Sequence, residues 1–214
     1  MDLHTWHPMT AYPVALARTA TLVRTTDPRL LDAICASAYD WLMLDGEHAS
    51  VGLTEMATLL REIGGRLPCY ARVQSLDPEH VRHALAHGAY GIIVPNVDTP
   101  VQAEESVRLV RTSQWPSAKV VVQAESAAAV QNIDAIVAVP GIEWVLIGPY
   151  DLTRSLGIPE QFDAPVFDVA VRTIEEACER AGMPVGIFGM TPDRVAPYTA
   201  RGHRWVVIGI DRVT

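Results

Sequence analysis

Four side chains able to do chemistry stand at the ends of short apolar runs: Glu125 in Gln123-Ala124-Glu125, Asp151 in Gly148-Pro149-Tyr150-Asp151, His48 in Asp45-Gly46-Glu47-His48, and Arg72 in Ala71-Arg72-Val73. If Glu125 and Asp151 come from neighbouring strands, their oxygens can share one hard divalent cation such as Mg²⁺, Mn²⁺ or Co²⁺. Two carboxylates leave coordination positions open for water and for a bidentate 2-oxo acid. Such a cation polarises a keto oxygen and holds the negative charge that appears when a carbon-3 proton or a carbon–carbon bond is lost. Arg72 can place a second positive charge at the same oxygen. His48 titrates near neutrality and can move the proton, a contribution of roughly 10²–10⁴-fold. Asp45 or Glu47 can orient it. Taken singly, each of these residues reads more simply as a helix cap or a salt-bridge partner; it is their shared position at strand ends that points to catalysis.

The elements that would position them follow from the pattern. Apolar, β-branched runs at Ala20–Arg24, Trp41–Asp45, Cys69–Val73, Gly91–Val94, Lys119–Gln123, Glu143–Ile147, Pro184–Phe188 and Trp205–Gly209 read as strands. Helical periodicity fills the intervals at Pro28–Ser37, Leu53–Ile63, Glu79–His87, Val101–Arg111, Ala127–Val137, Phe167–Ala181 and Asp193–Ala200. Runs that are apolar throughout suit a parallel sheet covered on both faces. Asp27-Pro28 and Asp77-Pro78 place an N-cap before a first-turn proline, and Gly88, Gly182 and Gly202 each follow a helical stretch. Eight strands and seven intervening helices specify a single-domain (β/α)₈ TIM barrel, residues 1–214, whose active site lies at the C-terminal strand ends. A doubly wound sheet is the alternative, but its glycine-rich dinucleotide fingerprint is absent. No eighth helix follows the last strand, which leaves an apolar face for another subunit to cover, so a homo-oligomer is expected. Met1–Arg18 is a leading segment with room for a short helix, limited by Pro8 and Pro13.

Bulk properties exclude several function classes. The net charge of -8 has no basic cluster to offset it, so nucleic acid is not an expected partner. Neither a signal peptide nor an apolar run long enough to span a membrane is present, and the cysteines Cys35, Cys69 and Cys178 form no pair motif. A cytoplasmic protein with reduced thiols is the expectation. His80, His83 and His87 share one helix at spacings of three and four, yet that helix lies away from the barrel mouth and reads as solvated or subunit-facing.

The segments Tyr39–His48, Arg72, Gly88–Pro95, Gln123–Glu125 and Gly148–Leu152 together resemble the HpcH/HpaI aldolases, the metal-dependent class II pyruvate aldolases, in order from about residue 15 to 211. The resemblance implies a (β/α)₈ barrel, usually hexameric, that cleaves or forms 4-hydroxy-2-oxo acids with pyruvate as the enolate partner and an aldehyde as acceptor. It assigns Glu125 and Asp151 as metal ligands, His48 as base and Arg72 to the keto oxygen. Gln123 assists at substrate or metal, and the backbone from Gly148 and Pro149 to Tyr150 and Asp151 receives the substrate carboxylate. The chain departs from the family where Ala86 replaces an Asp that supports a neighbouring subunit's histidine. It also lacks a Gly-x-Arg-Gly loop, its place taken by Thr112–Ser117, and Tyr150 replaces a small residue. The expected activity is therefore a metal-dependent carbon–carbon lyase. The alternatives are an oxaloacetate-type decarboxylase, a specialised biosynthetic enzyme using the same enolate, and a catalytically degenerate barrel that binds a metabolite or supports a partner.

Overall fold

A computed structural model describes residues 17–47 and 51–214. Eight parallel strands close into a barrel in sequence order: β1 (Arg18–Val23), β2 (Trp41–Asp45), β3 (Cys69–Arg72), β4 (Gly91–Val94), β5 (Lys119–Ala124), β6 (Trp144–Ile147), β7 (Val185–Gly189) and β8 (Trp205–Ile210). The helices are α1 (Pro28–Ala36), α2 (Leu53–Ile63), α3 (Pro78–Ala86), α4 (Pro100–Arg111), α5 (Ala127–Val137), α6 (Pro149–Ser155), α7 (Pro165–Ala181) and α8 (Pro192–Ala200). The barrel expected from the sequence is therefore present, with one correction to its helices. Two helices follow β6, not one, because Gly148-Pro149 starts a short α6 before the chain turns into α7. Among the described residues none follows β8. The possible leading helix in 1–18 lies outside the described residues, except that Ala17 precedes β1 and Arg18 opens it.

Local chemistry explains the boundaries. Asp27 and Asp77 cap α1 and α3 by accepting from the N–H groups of Arg29 and Glu79, at 2.9 and 2.7 Å, with proline in the first turn of each. Thr99 and Gln102 form a reciprocal capping box on α4. Gly182 ends α7 with φ 64°, a left-handed position that costs glycine nothing.

Alternation along the strands divides the core in two. Outward residues such as Leu42, Leu44, Ile92, Val120, Val122 and Val145 pack against the helices. Inward residues form a separate cluster that includes Ala20, Leu22, Trp41, Met43, Tyr70, Val121, Trp144, Leu146 and Trp205. The N-terminal end of the barrel is plugged by Trp144 stacked on Trp205 at 5.0 Å, with Trp41 edge-on to both at 5.5 Å. Continuing each inward series by two residues gives Arg24, Asp45, Arg72, Gln123 then Glu125, and Gly148. An aromatic floor thus lies under a polar mouth. No helix among the described residues is long and apolar enough to cross a membrane.

Candidate active site

The mouth is built by strand register. Asp45 is the direct neighbour of Arg72 across β2 and β3, and Gln123 and Ala124 lie opposite Leu146 and Ile147 across β5 and β6. These two registers place a guanidinium on a carboxylate and bring Glu125 beside Gly148.

Asp45 is fully buried, and its Oδ1 accepts from Arg72 Nε at 2.9 Å and Nη2 at 2.7 Å, while its Oδ2 accepts from Arg24 Nε at 2.6 Å. Arg72 reaches Glu47 as well, Nη1 to Oε2 at 2.8 Å. Burial alone would raise the Asp45 carboxyl; the Arg72 charge and the hydrogen bonds from both arginines outweigh it and hold the carboxyl below its ordinary range. Arg72 is therefore fixed, charged and aimed by two carboxylates. Asp45 or Glu47 was expected to orient His48; both also hold guanidiniums, Asp45 those of Arg72 and Arg24 and Glu47 that of Arg72, and His48 itself lies outside the described residues.

Glu125 sits just beyond β5 and is 2% exposed. Its Oε1 accepts from the Asn96 N–H at 2.9 Å, and its Oε2 accepts from Gln123 Nε2. Burial pushes its carboxyl up to about 8, opposed by the Asn96 hydrogen bond and by Arg72, and reinforced by the negative charges of Glu47 and Asp151. Gln123 Oε1 is buried without a hydrogen-bond partner. Gly148 is required here for space: a Cβ on it would press onto Glu125 Oε2 and come within 2.7 Å of Gln123 Nε2. Asp151 lies in the first turn of α6, partly exposed, with Oδ1 2.5 Å from Arg154 Nη1.

Asn96, two residues beyond β4, was not singled out from the sequence. Its φ of 54° is a left-handed conformation that asparagine tolerates better than most residues. That conformation goes with an N–H aimed at Glu125 and a side chain 3.4 Å from Glu47 Oε1. Arg24 was likewise passed over as the last residue of a strand.

Above these groups lies a cavity of about 240 Å³. Arg24, Arg72, Gln123, Gly148, Pro149, Tyr150 and Asp151 all line it, so six of these seven are residues the sequence singled out and Arg24 is the addition. Glu125 stands directly behind Gln123 and Gly148. Tyr150 packs edge-on against Phe162 at 5.0 Å and Phe188 at 5.9 Å, which gives the cavity an aromatic wall where a small residue would leave space.

The histidines of α3 take no part. His83 Nε2 lies 2.7 Å from the Leu53 carbonyl, and His87 Nδ1 lies 2.8 Å from the His83 carbonyl, so both rings are bound to backbone. Among the described residues no three His, Cys, Asp or Glu side chains form a group able to hold a metal ion. Glu125 and Asp151 are the two carboxyl groups that could hold a cation, and the buried, unpartnered Gln123 oxygen lies beside the first of them.

Comparison with known proteins gives the family and agrees with the fold. The sequence profile of the HpcH/HpaI aldolase/citrate lyase family matches residues 18–214. The chain is 35% identical to a 4-hydroxy-2-oxovalerate aldolase of Rhodococcus jostii (strain RHA1) over 205 residues, 83% of this chain and 80% of that one. It is 28% identical to a 2-keto-3-deoxy-L-rhamnonate aldolase of Escherichia coli (strain K12) over 215 residues, 87% of this chain and 80% of that one. A crystal structure of a HpcH/HpaI aldolase/citrate lyase family protein from Burkholderia cenocepacia J2315 superposes with a TM-score of 0.84 at 27% identity, covering 92% of this chain and 89% of that one. The protein belongs to the HpcH/HpaI aldolase/citrate lyase family and is a carbon–carbon lyase of the aldol type.

Proposed function

We propose that this protein makes or breaks a carbon–carbon bond of a small 2-oxo acid through its pyruvate-type enolate, in a site that takes a divalent cation on Glu125 and Asp151. The observation that carries this reading is the state of Glu125: a buried carboxyl pushed up to about 8 among further carboxylates, beside an unpartnered amide oxygen and a cavity. A bare carboxylate so placed is costly, and a cation removes the cost. When bound, the cation supplies Lewis-acid polarisation of the keto oxygen and neutralises the enolate charge.

The chain's own residues divide the remaining work. Arg72, held on Asp45 and Glu47, presents a fixed positive charge to the keto oxygen, where negative charge grows as the bond breaks. The first-turn N–H groups of Tyr150 and Asp151 have no acceptor within α6 and receive the substrate carboxylate. His48 takes the proton of the 4-hydroxyl in the cleavage direction. The C3–C4 bond then breaks, its electron pair becomes the enolate, a carbonyl forms at C4, and C3 takes a proton to give pyruvate. Tyr150, braced by Phe162, and Phe188 keep water from that carbanion-like carbon.

Incubation of the purified protein with pyruvate in D₂O tests this. With Mg²⁺, Mn²⁺ or Co²⁺ the methyl signal is expected to decay by exchange, and chelation should stop the decay. Absence of both exchange and retro-aldol cleavage with every one of these metals would remove the enolate reading.

A further inference from the structure

Arg24 faces the cavity and has no part in the chemistry just described. It is nevertheless held at the mouth, through its backbone and through one side-chain nitrogen. Its backbone N–H and that of Thr25 both donate to Asp211 Oδ1, at 2.7 and 2.9 Å, and Asp211 follows β8 in a left-handed conformation with φ 50°. Its side chain is tied by one nitrogen alone, Nε on Asp45 Oδ2 at 2.6 Å. Among the described residues its two terminal nitrogens have no hydrogen-bond partner, and the side chain is 28% exposed. A guanidinium fixed through Nε, with its Nη pair unspent on the wall of a cavity, is a preorganised receptor for a carboxylate.

The placement defines which carboxylate. β1 and β5 stand on opposite sides of the eight-stranded barrel, so Arg24 lies across the mouth from Glu125 and Gln123. The cavity runs from Gly148–Asp151 to Leu22, Arg24 and Ile210, with Leu146 and Phe188 as apolar lining. A 2-oxo acid whose first carboxylate sits on α6, with its keto oxygen towards Arg72, extends its far end along this apolar stretch towards Arg24, which shares Asp45 with Arg72. Of the three arginines lining the cavity, Arg72 is paired through its Nη groups with Asp45 and Glu47 and Arg154 through Nη1 with Asp151, whereas Arg24 is paired through Nε alone.

We infer that Arg24 is a specificity-determining residue that binds a second carboxylate at the far end of the substrate, so that the preferred ligands are dicarboxylic 2-oxo acids. The inference rests on the 2-oxo acid reading of the site and adds the chemistry of the tail.

Two five-carbon probes isolate that tail: 2-oxoglutarate, which carries the second carboxylate, and 2-oxovalerate, which does not. Binding of each to the Mg²⁺-loaded protein is measured by calorimetry. The wild type should bind 2-oxoglutarate about tenfold or more tighter, the value of a charge-assisted hydrogen-bonded pair. In Arg24→Gln the ratio of the two affinities should collapse towards one, and in Arg24→Lys, which keeps a cation but loses the fork, it should be intermediate. A role confined to holding Asp45 would lower both affinities in parallel and preserve the ratio, which would overturn the assignment. A wild type with no preference would overturn it as well. The two readings fail separately: preference without pyruvate exchange removes the enolate chemistry and leaves Arg24 its role, whereas exchange without preference removes the Arg24 role alone.

Discussion

Replacing Glu125 with glutamine is expected to abolish turnover while making the metal-free fold more stable at alkaline pH. The two effects have one origin. Glu125 is 2% exposed and its carboxyl is pushed up to about 8, from an ordinary value near 4.5. Between those values the folded protein holds a proton that the unfolded chain has released. Stability then falls as pH rises through the window and levels off above about 8. Glutamine carries no charge, so the variant lacks this slope, and the gap between the variant and the metal-free wild type should widen from pH 5 to pH 8. Urea unfolding in chelator across that range measures it; a wild type as stable at pH 8 as at pH 5, relative to the variant, would contradict the cause given for the shift. Adding the divalent cation should reverse the order, because only the wild type gains a ligand on folding. Turnover should drop by at least about 10³-fold, since the charge on the enolate loses its main counter-charge.

Asp45→Ala should be among the most destabilising single changes in the barrel. Its carboxylate is fully buried and takes three hydrogen bonds from two guanidiniums, Arg72 and Arg24. Removing it leaves Arg72, itself 6% exposed, without its main partner, and loss of one member of a buried ion pair costs about 3–5 kcal/mol. At this chain length that corresponds to a fall in Tm of roughly 10 °C. The Asp45 carboxyl is held below its ordinary range by Arg72 and Arg24. Its contribution is therefore complete above the usual carboxylate range and is lost as pH falls through the lowered value, so wild type and variant should converge in acid. Asp45→Asn keeps the shape and some hydrogen bonds and should lose less. A loss below about 1 kcal/mol for Asp45→Ala would mean that Arg72 is held mainly by Glu47.

The barrel itself was legible because most strands carry a short apolar run and several helix starts carry a cap that pattern alone identifies, Asp27-Pro28 and Asp77-Pro78 above all. The short helix α6 was not, since seven residues opened by Gly148-Pro149 are too few to display a period and read as a turn. At the mouth, residue type and strand-end position were enough to single out Glu125, Asp151 and Arg72, and the family resemblance added Gln123. What position could not convey is register. The pairing of Asp45 with Arg72 follows from their being opposite one another on β2 and β3, a relation between segments distant in sequence. Asn96 and Arg24 were missed for related reasons. The first acts through a backbone N–H and a left-handed φ that its residue type only permits, and the second became visible once the inward series Ala20, Leu22, Arg24 was seen to end on the cavity.

The central claim is that Glu125 and Asp151 share one cation at the mouth of the barrel. A crystal grown or soaked with Mn²⁺ and oxalate, examined by anomalous diffraction at the manganese edge, tests it most directly. The expected result is a single ion within about 2.3 Å of one oxygen from each of the two carboxylates, with oxalate completing its shell on the Arg72 side. An ion elsewhere, or none while Glu125 keeps its hydrogen bonds from Asn96 and Gln123, would contradict the account.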